Sequence, residues 1–401
     1  MSKRNLILLG IDSPIGLTII RELGKNGISV HGLGWSEKSI GLYSRYLESG
    51  HIREKQESAL IDQINQLAIR FQCDWIMTVS EQDILLLNKY KDILNIGLIT
   101  PNSTILNRVL DKQFTLDAAS EVGISTPKTW NIKEFDEIER IQNQLNYPLV
   151  LKWDNPHRVM SKLTGNNLGL EKYKYIHSKD ELIEYLEKFK IIGEYPLIQE
   201  YCTGIGLGQM ALMHKGKAIL KFQHHRLAEW PPEGGFSTVC ESIPMDKHAE
   251  LMEKSISLLR KIDWSGPAMV EYRYDHNAQK AVLMEINGRF WGSLPLAHHA
   301  NANFALAYYN LIAENKTPIL EPYIPGIKCR FMLPEIKRII RIIFYPEKIQ
   351  NKKLKLNPGL ELLSFISYFF SVKTHYYVFS TDDLKPFIMD IYFTLKKTIK
   401  L

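Results

Sequence analysis

The chain has 401 residues, 45% hydrophobic and 23% charged, with a formal net charge of +6. That length suggests two or three globular domains, and the mild basic excess suits anionic ligands such as nucleotides; no dense basic run of the nucleic-acid-binding kind is present. Cys73, Cys202, Cys240 and Cys329 are far apart and form no CxxC pair, which argues against a zinc site or disulfide scaffold and for reduced, cytoplasmic thiols.

The opening "MSKRNLILLGIDS" is basic, but its apolar run stops at Asp12, shorter than a signal peptide needs. "NLILLG" reads as a buried strand. "SPIGLTIIRELGKNG" reads as a helix with Ser13 as N-cap and Pro14 at its first position, and "ISVHGLGW" as a second strand. Gly10 and Gly16 do not make GxGxxG, so this βαβ opening is read as a structural Rossmann-like lobe. Further strands at "DWIMTVSE" and "IGLITPN" place this α/β lobe at residues 1–105. "STILNRVLDKQFTLDAASEVG" reads as an amphipathic helix pair ending at Gly123. "YPLVLKWDNP" is a buried strand carrying Lys152 near its end. Residues 158–169, "RVMSKLTGNNLG", read as a flexible loop in which Ser161 and Gly165 could approach a phosphate; an ordinary surface loop is the plainer reading of the same composition. "SKDELIEYLEKF" carries a capping box, Ser178 with Glu181. "PLIQEYCTG" is a strand running into a turn, and "PLAHHANANFALAYYNLIAEN" reads as one long helix. Strands from 201 onward do not alternate as βαβ, which predicts antiparallel sheets with helices on one side.

Beyond 335 the sequence turns basic and amphipathic, then aromatic. Its longest uncharged apolar run, "LLSFISYFFSV", is about half of the ~20 residues a spanning helix needs, so a soluble protein is expected. Residues 335–401 read as a helical extension packed on the core or as a homodimer interface. Docking on an anionic membrane surface is the less favoured reading.

"MVEYRYD" and "VLMEING", joined by "DHNAQK", have a hairpin signature that sets Glu271 and Glu285 across from each other. Two facing carboxylates repel unless a cation lies between them, and Asn287 adds a neutral oxygen on the same face. Such a hard-oxygen set suits Mg²⁺ with phosphate and water completing the octahedron; a surface hairpin with ordinary exposed acids is the plain alternative. Lys152 is either a point charge for a phosphate or a strand-end lysine reaching solvent. Arg226 lies in "QHHRLAEWPPEGGFST", a lid-like stretch, and could hold an anion bidentately. His224 and His225 are adjacent and face opposite ways in a strand, as unsuited to one zinc as His298 and His299 on a helix.

These pieces, in this order over residues 1–315, resemble the ATP-grasp superfamily, most closely the carboxylate–amine ligases related to the carbamoyl phosphate synthetase large chain. The resemblance implies a multidomain α/β and α+β protein. A Rossmann-like pre-ATP-grasp domain (1–105) would precede a two-lobed ATP-grasp domain (106–334; small lobe about 125–200, large lobe about 201–334) and the C-terminal extension (335–401). It implies ATP and Mg²⁺ (or Mn²⁺) as cofactors. Lys112 and Lys152 would contact phosphates, and Gln199, Glu200, Tyr201 and Cys202 would line the adenine. The 158–169 loop, with Ser161 and Gly165, would cover the γ-phosphate. Glu271, Glu285 and Asn287 would hold metal, and Arg289, with Lys152 and Arg226, would serve phosphoryl transfer. The sequence departs from the family at 288, where Gly replaces the usual Pro of Glu-x-Asn-Pro-Arg, and in "GIGLG" after the hinge, which has no ribose-binding carboxylate.

The implied reaction phosphorylates a small-molecule carboxylate and condenses the acyl phosphate with an amine, releasing ADP and phosphate. Another nucleophile, bicarbonate as the acid, or a nucleotide-binding regulatory protein are the alternatives. Glu233 and His225 are the candidates for general base.

Overall fold

The computed structural model describes residues 4–154 and 156–399. Three sheets organise it. The first is parallel, with strands β1 (Asn5–Leu9), β2 (Ser29–Gly34), β3 (Leu47–Ile52), β4 (Trp75–Thr78) and β5 (Gly97–Ile99) in the order β3-β2-β1-β4-β5. β1 is buried along its whole length, as a central parallel strand covered on both faces must be. β3 was not anticipated from sequence: "LESGHI" alternates half-buried and exposed residues, the signature of an edge strand. Pro14 begins the first helix, and Ser13 holds its N-cap position without a side-chain cap hydrogen bond.

The second sheet is antiparallel, with β6 (Thr129–Trp130), β7 (Leu149–Lys152), β8 (Lys174–Ile176) and β9 (Leu197–Glu200) in the order β6-β9-β7-β8. The third has seven strands: β10 (Ile205–His214), β11 (Lys217–Trp230), β12 (Phe236–Ser242), β13 (Gly266–Asp275), β14 (Lys280–Asn287), β15 (Lys328–Arg330) and β16 (Thr374–Tyr376). Their order is β14-β13-β10-β11-β12-β15-β16, antiparallel except for the β15–β16 pair. The C-terminal stretch therefore completes the large sheet, and Asp383 pairs with buried Arg21 of the first helix at 2.9 Å. Glu22 of that helix accepts a hydrogen bond from Leu306 N at 2.7 Å, tying it to the helix Phe304–Ile312.

Two local expectations are corrected. Residues 158–165 are not a flexible loop: they belong to the helix Pro156–Gly165. Val159 and Leu163, one turn apart, are buried in the small-lobe core, and that burial outweighs the Gly/Asn/Ser composition at the helix end. The stretch from 295 to 315 is two helices, Leu294–His299 and Phe304–Ile312. Asn301 breaks it with φ +68, and Ala302 N bonds back to Ala297 O at 2.7 Å, the geometry of a left-handed helix stop.

Candidate active site

The second and third sheets bound a cleft of about 780 Å³. Its floor is the β13–β14 hairpin. Asp275 Oδ1 accepts from Asn277 N and Ala278 N, which locks the turn, and Glu271 and Glu285 are register partners. Past that pair the register slips: Tyr272 faces Leu283, so Met284 is an extra residue on β14. Glu285, Asn287 and Arg289 all line the cleft.

The cation that pairs with Glu271 is Arg226 from β11. Its guanidinium grips Glu271 bidentately at 2.7 and 2.5 Å, and also reaches Glu229 at 3.2 Å and Gly235 O at 2.9 Å. Arg273 holds Glu229 from the other side at 2.9 and 3.2 Å. Burial pushes the Glu271 carboxyl above its ordinary range; Arg226 opposes the shift and Glu285 adds to it. Burial also works against charge on Glu285, but Lys172 and Lys152 outweigh it and hold that carboxyl low. Glu285 Oε1 accepts from Asn287 Nδ2 at 3.2 Å, and Asn287 Oδ1 accepts from Arg289 Nη2 at 3.1 Å. Arg289 Nε pairs with Glu81 at 3.3 Å, so the helix after β4 reaches the cleft too.

Lys152 ends β7 half-buried; burial lowers its pKa, and Glu285 and Glu271 oppose the shift. Lys112 begins the helix Lys112–Glu121 and is likewise lowered by burial. Its Nζ donates to Trp153 O and Asp154 O at 2.6 and 2.7 Å, beside Lys152. Gln199, Glu200, Tyr201 and Cys202 line the cleft where β9 leaves the small lobe. Glu200 Oε1 accepts from Lys128 N at 2.9 Å, and burial pushes the Cys202 thiol up to about 11, so it stays protonated.

Ser161 and Gly165 are exposed on their helix and are absent from the cleft lining. His225 is also away from the cleft: its Nε2 lies 3.2 Å from His248 Nε2, and burial lowers its pKa to about 4. Glu233, the other suggested base, does line the cleft, buried, with Oε2 lacking a hydrogen-bond partner.

Sequence reasoning missed Arg273 and Glu229. Arg273 sits two residues from Glu271 on one strand, so alternation was a usable signal. Nothing in the sequence pattern signalled the C-terminal wall: Arg338 and Glu361, paired at 2.7 Å, line the cleft together with Asn351, Leu354 and Leu356. Asn351 Nδ2 donates to the Tyr201 hydroxyl at 3.0 Å, across 150 residues of chain.

Gly288 has a packing cause. A Cβ there would come within 2.6 Å of the buried Trp264 ring and 3.0 Å of Leu106.

The donor set fits a hard divalent cation. Glu285 lies beside Asn287 and opposite Glu271; a cation there would displace Arg226 from Glu271 and turn the Asn287 amide, whose oxygen now accepts from Arg289. Among the described residues, no group of three or more His, Cys, Asp or Glu gathers into a metal site, so the amide and substrate oxygens would have to complete any shell.

No family model matches the sequence. The carbamoyl phosphate synthase large chain of Saccharolobus islandicus is 25% identical over 228 residues, 55% of this chain and 19% of that protein. The chain thus spans about a fifth of the curated relatives' length. Among solved structures, the N5-carboxyaminoimidazole synthetase of Staphylococcus aureus, complexed with ADP, superposes with a TM-score of 0.64 at 15% identity, covering 86% of each chain. The biotin carboxylase domain dimer of Hydrogenobacter thermophilus 2-oxoglutarate carboxylase, in complex with MgADP, ADP and bicarbonate, superposes at 0.62 and 15% identity, covering 80% of this chain and 72% of that one.

Proposed function

The chain has the ATP-grasp fold of these proteins, and from that premise we propose that it is an ATP-dependent ligase which activates a small-molecule carboxylate as an acyl phosphate and transfers the acyl group to an amine. The observation that carries the reading is the cleft floor: Glu271 facing Glu285, with Lys152, Lys112 and Arg289 around them. A binding site alone gains nothing from two opposed buried acids. Mg²⁺ held by Glu271, Glu285 and Asn287 would neutralise charge on the transferred phosphoryl oxygens.

The protein's own residues do the rest. The hinge 199–202 and Tyr201 form the apolar and polar walls for a purine. Lys112 is preset by the Trp153 and Asp154 carbonyls, so it binds phosphate without first being ordered. Lys152 is acted on by Glu285 and Glu271 in the cleft, and an incoming phosphate would restore the charge that burial weakens. A carboxylate is a poor electrophile because oxide is a poor leaving group; phosphorylation makes phosphate the leaving group. Arg289, braced by Glu81 and Asn287, is placed to hold the acyl phosphate. Glu233, with a carboxylate oxygen free, is the cleft residue placed to take the amine proton.

A second reading keeps acyl activation but uses bicarbonate as the acid; the bicarbonate bound in the H. thermophilus neighbour favours it. Hydroxylamine separates these readings. Incubation with Mg-ATP and a panel of amino, hydroxy and uronic acids should give a hydroxamate with one acid, lost in Glu285→Gln. ATP turnover stimulated by bicarbonate, with no hydroxamate, would move the assignment to the second reading. Silence in both arms with ATP bound would overturn the ligase proposal.

A further inference from the structure

More than half of the exposed large hydrophobic side chains among the described residues lie beyond residue 335, in the last sixth of the chain. On the helix Met332–Phe344, Ile336, Ile340 and Phe344 recur every four residues and face solvent, while Arg338, Ile339 and Ile342 face inward. The helix Pro358–Ser367 has no buried residue: Leu360 and Leu363 are 62% and 63% exposed, and Phe370 and Val372 just after it are 83% and 95% exposed. On Lys385–Ile399, Ile388, Tyr392 and Leu395 are exposed. The first of these helices packs against the second, and Lys337 of the first lies close enough to Asp390 of the third to offset part of the upward push that burial gives its carboxyl.

Such a concentration of exposed apolar area is unusual on a soluble surface and marks a docking face. Its frame is basic. Lys337, Lys348, Lys352, Lys353, Lys355 and Lys373 are exposed, against Glu347 as the exposed acid over the same stretch, and Lys396 and Lys397 extend the charge. Two copies of this face would bring lysines against lysines. Anionic headgroups would instead neutralise them while the leucines and phenylalanines enter the acyl boundary. No helix among the described residues is long and apolar enough to cross a membrane, so the contact is peripheral.

We propose that the C-terminal helices dock this protein on an anionic lipid surface. The segment that joins the first two helices also supplies Asn351, Leu354 and Leu356 to the cleft wall, so the docking helices are joined in sequence to the cleft. The proposal stands on the surface alone and does not depend on which reaction the cleft performs.

The test is co-sedimentation of the full chain with vesicles of phosphatidylcholine alone or mixed with phosphatidylglycerol, without ATP. Binding to the mixed vesicles, weakened by salt, is the expected result. Leu363→Asp with Phe370→Asp should weaken it by about a hundredfold, since each buried side chain contributes roughly a tenfold partition. Lys352→Gln, Lys353→Gln and Lys355→Gln together should weaken it on the order of a hundredfold, at roughly fivefold per charge removed. Circular dichroism of each variant separates lost docking from lost folding. Absence of binding to the mixed vesicles overturns the proposal, as does equal binding to neutral ones. A dimer by ultracentrifugation that Phe370→Asp dissociates, with no vesicle binding, would reassign the face to self-association.

Discussion

Replacing Arg226 with methionine tests the electrostatic design of the cleft floor. The guanidinium is the bidentate partner of Glu271 at 2.7 and 2.5 Å, with both side chains about nine-tenths buried. Glu229 would keep Arg273 at 2.9 Å, so the damage falls on Glu271, left facing Glu285. Breaking one side of a buried pair costs about 3–5 kcal/mol, and Arg226→Met should lose that much near neutral pH without metal, read by urea denaturation through tryptophan fluorescence. The deficit should shrink as pH falls. Burial and Glu285 already raise the Glu271 carboxyl, losing Arg226 raises it further, and its protonation in the folded state relieves the repulsion. Saturating Mg²⁺ should return roughly 2–3 kcal/mol, and more in the variant than in the parent, because the guanidinium no longer competes for Glu271. Adding Glu271→Gln should recover most of the loss, since it removes the stranded charge. A cost below about 1 kcal/mol, or a double variant no better than the single one, would refute the account.

Gly288→Ala should destabilise by about 1–3 kcal/mol, the usual cost of overpacking, through the 2.6 Å approach to Trp264; Trp264→Leu should couple to it in a double-mutant cycle, and additivity would count against a steric cause. The histidine cluster predicts acid sensitivity. His225 is lowered to about 4, and His224 and His248 are lowered as well. The unfolded chain therefore binds more protons between pH 6.5 and about 4, and stability should fall as pH drops through that window. His225→Gln should flatten the slope measured by denaturation midpoint, and an unchanged slope would sink the assignment.

What the sequence by itself determined was local. Apolar runs such as "NLILLG" and "PLVLK" specify strands because a buried backbone must pair, and the period of two put Glu285, Asn287 and Arg289 on one face. The "DHNAQK" turn was enough to set Glu271 opposite Glu285. Composition misled where burial decided instead: Val159 and Leu163 turned a Gly- and Asn-rich stretch into a helix, and that took Ser161 and Gly165 away from the cleft lining. Tertiary structure alone decided which cation pairs with Glu271. Arg226 reaches Glu271 from another strand, and Arg273 and Glu229 complete the network. It also decided that residues 338–361 wall the cleft, through contacts such as Asn351 with Tyr201. These pairings depend on how sheets and helices pack across long stretches of chain, and a single sequence carries no periodic signal for contacts between elements that far apart.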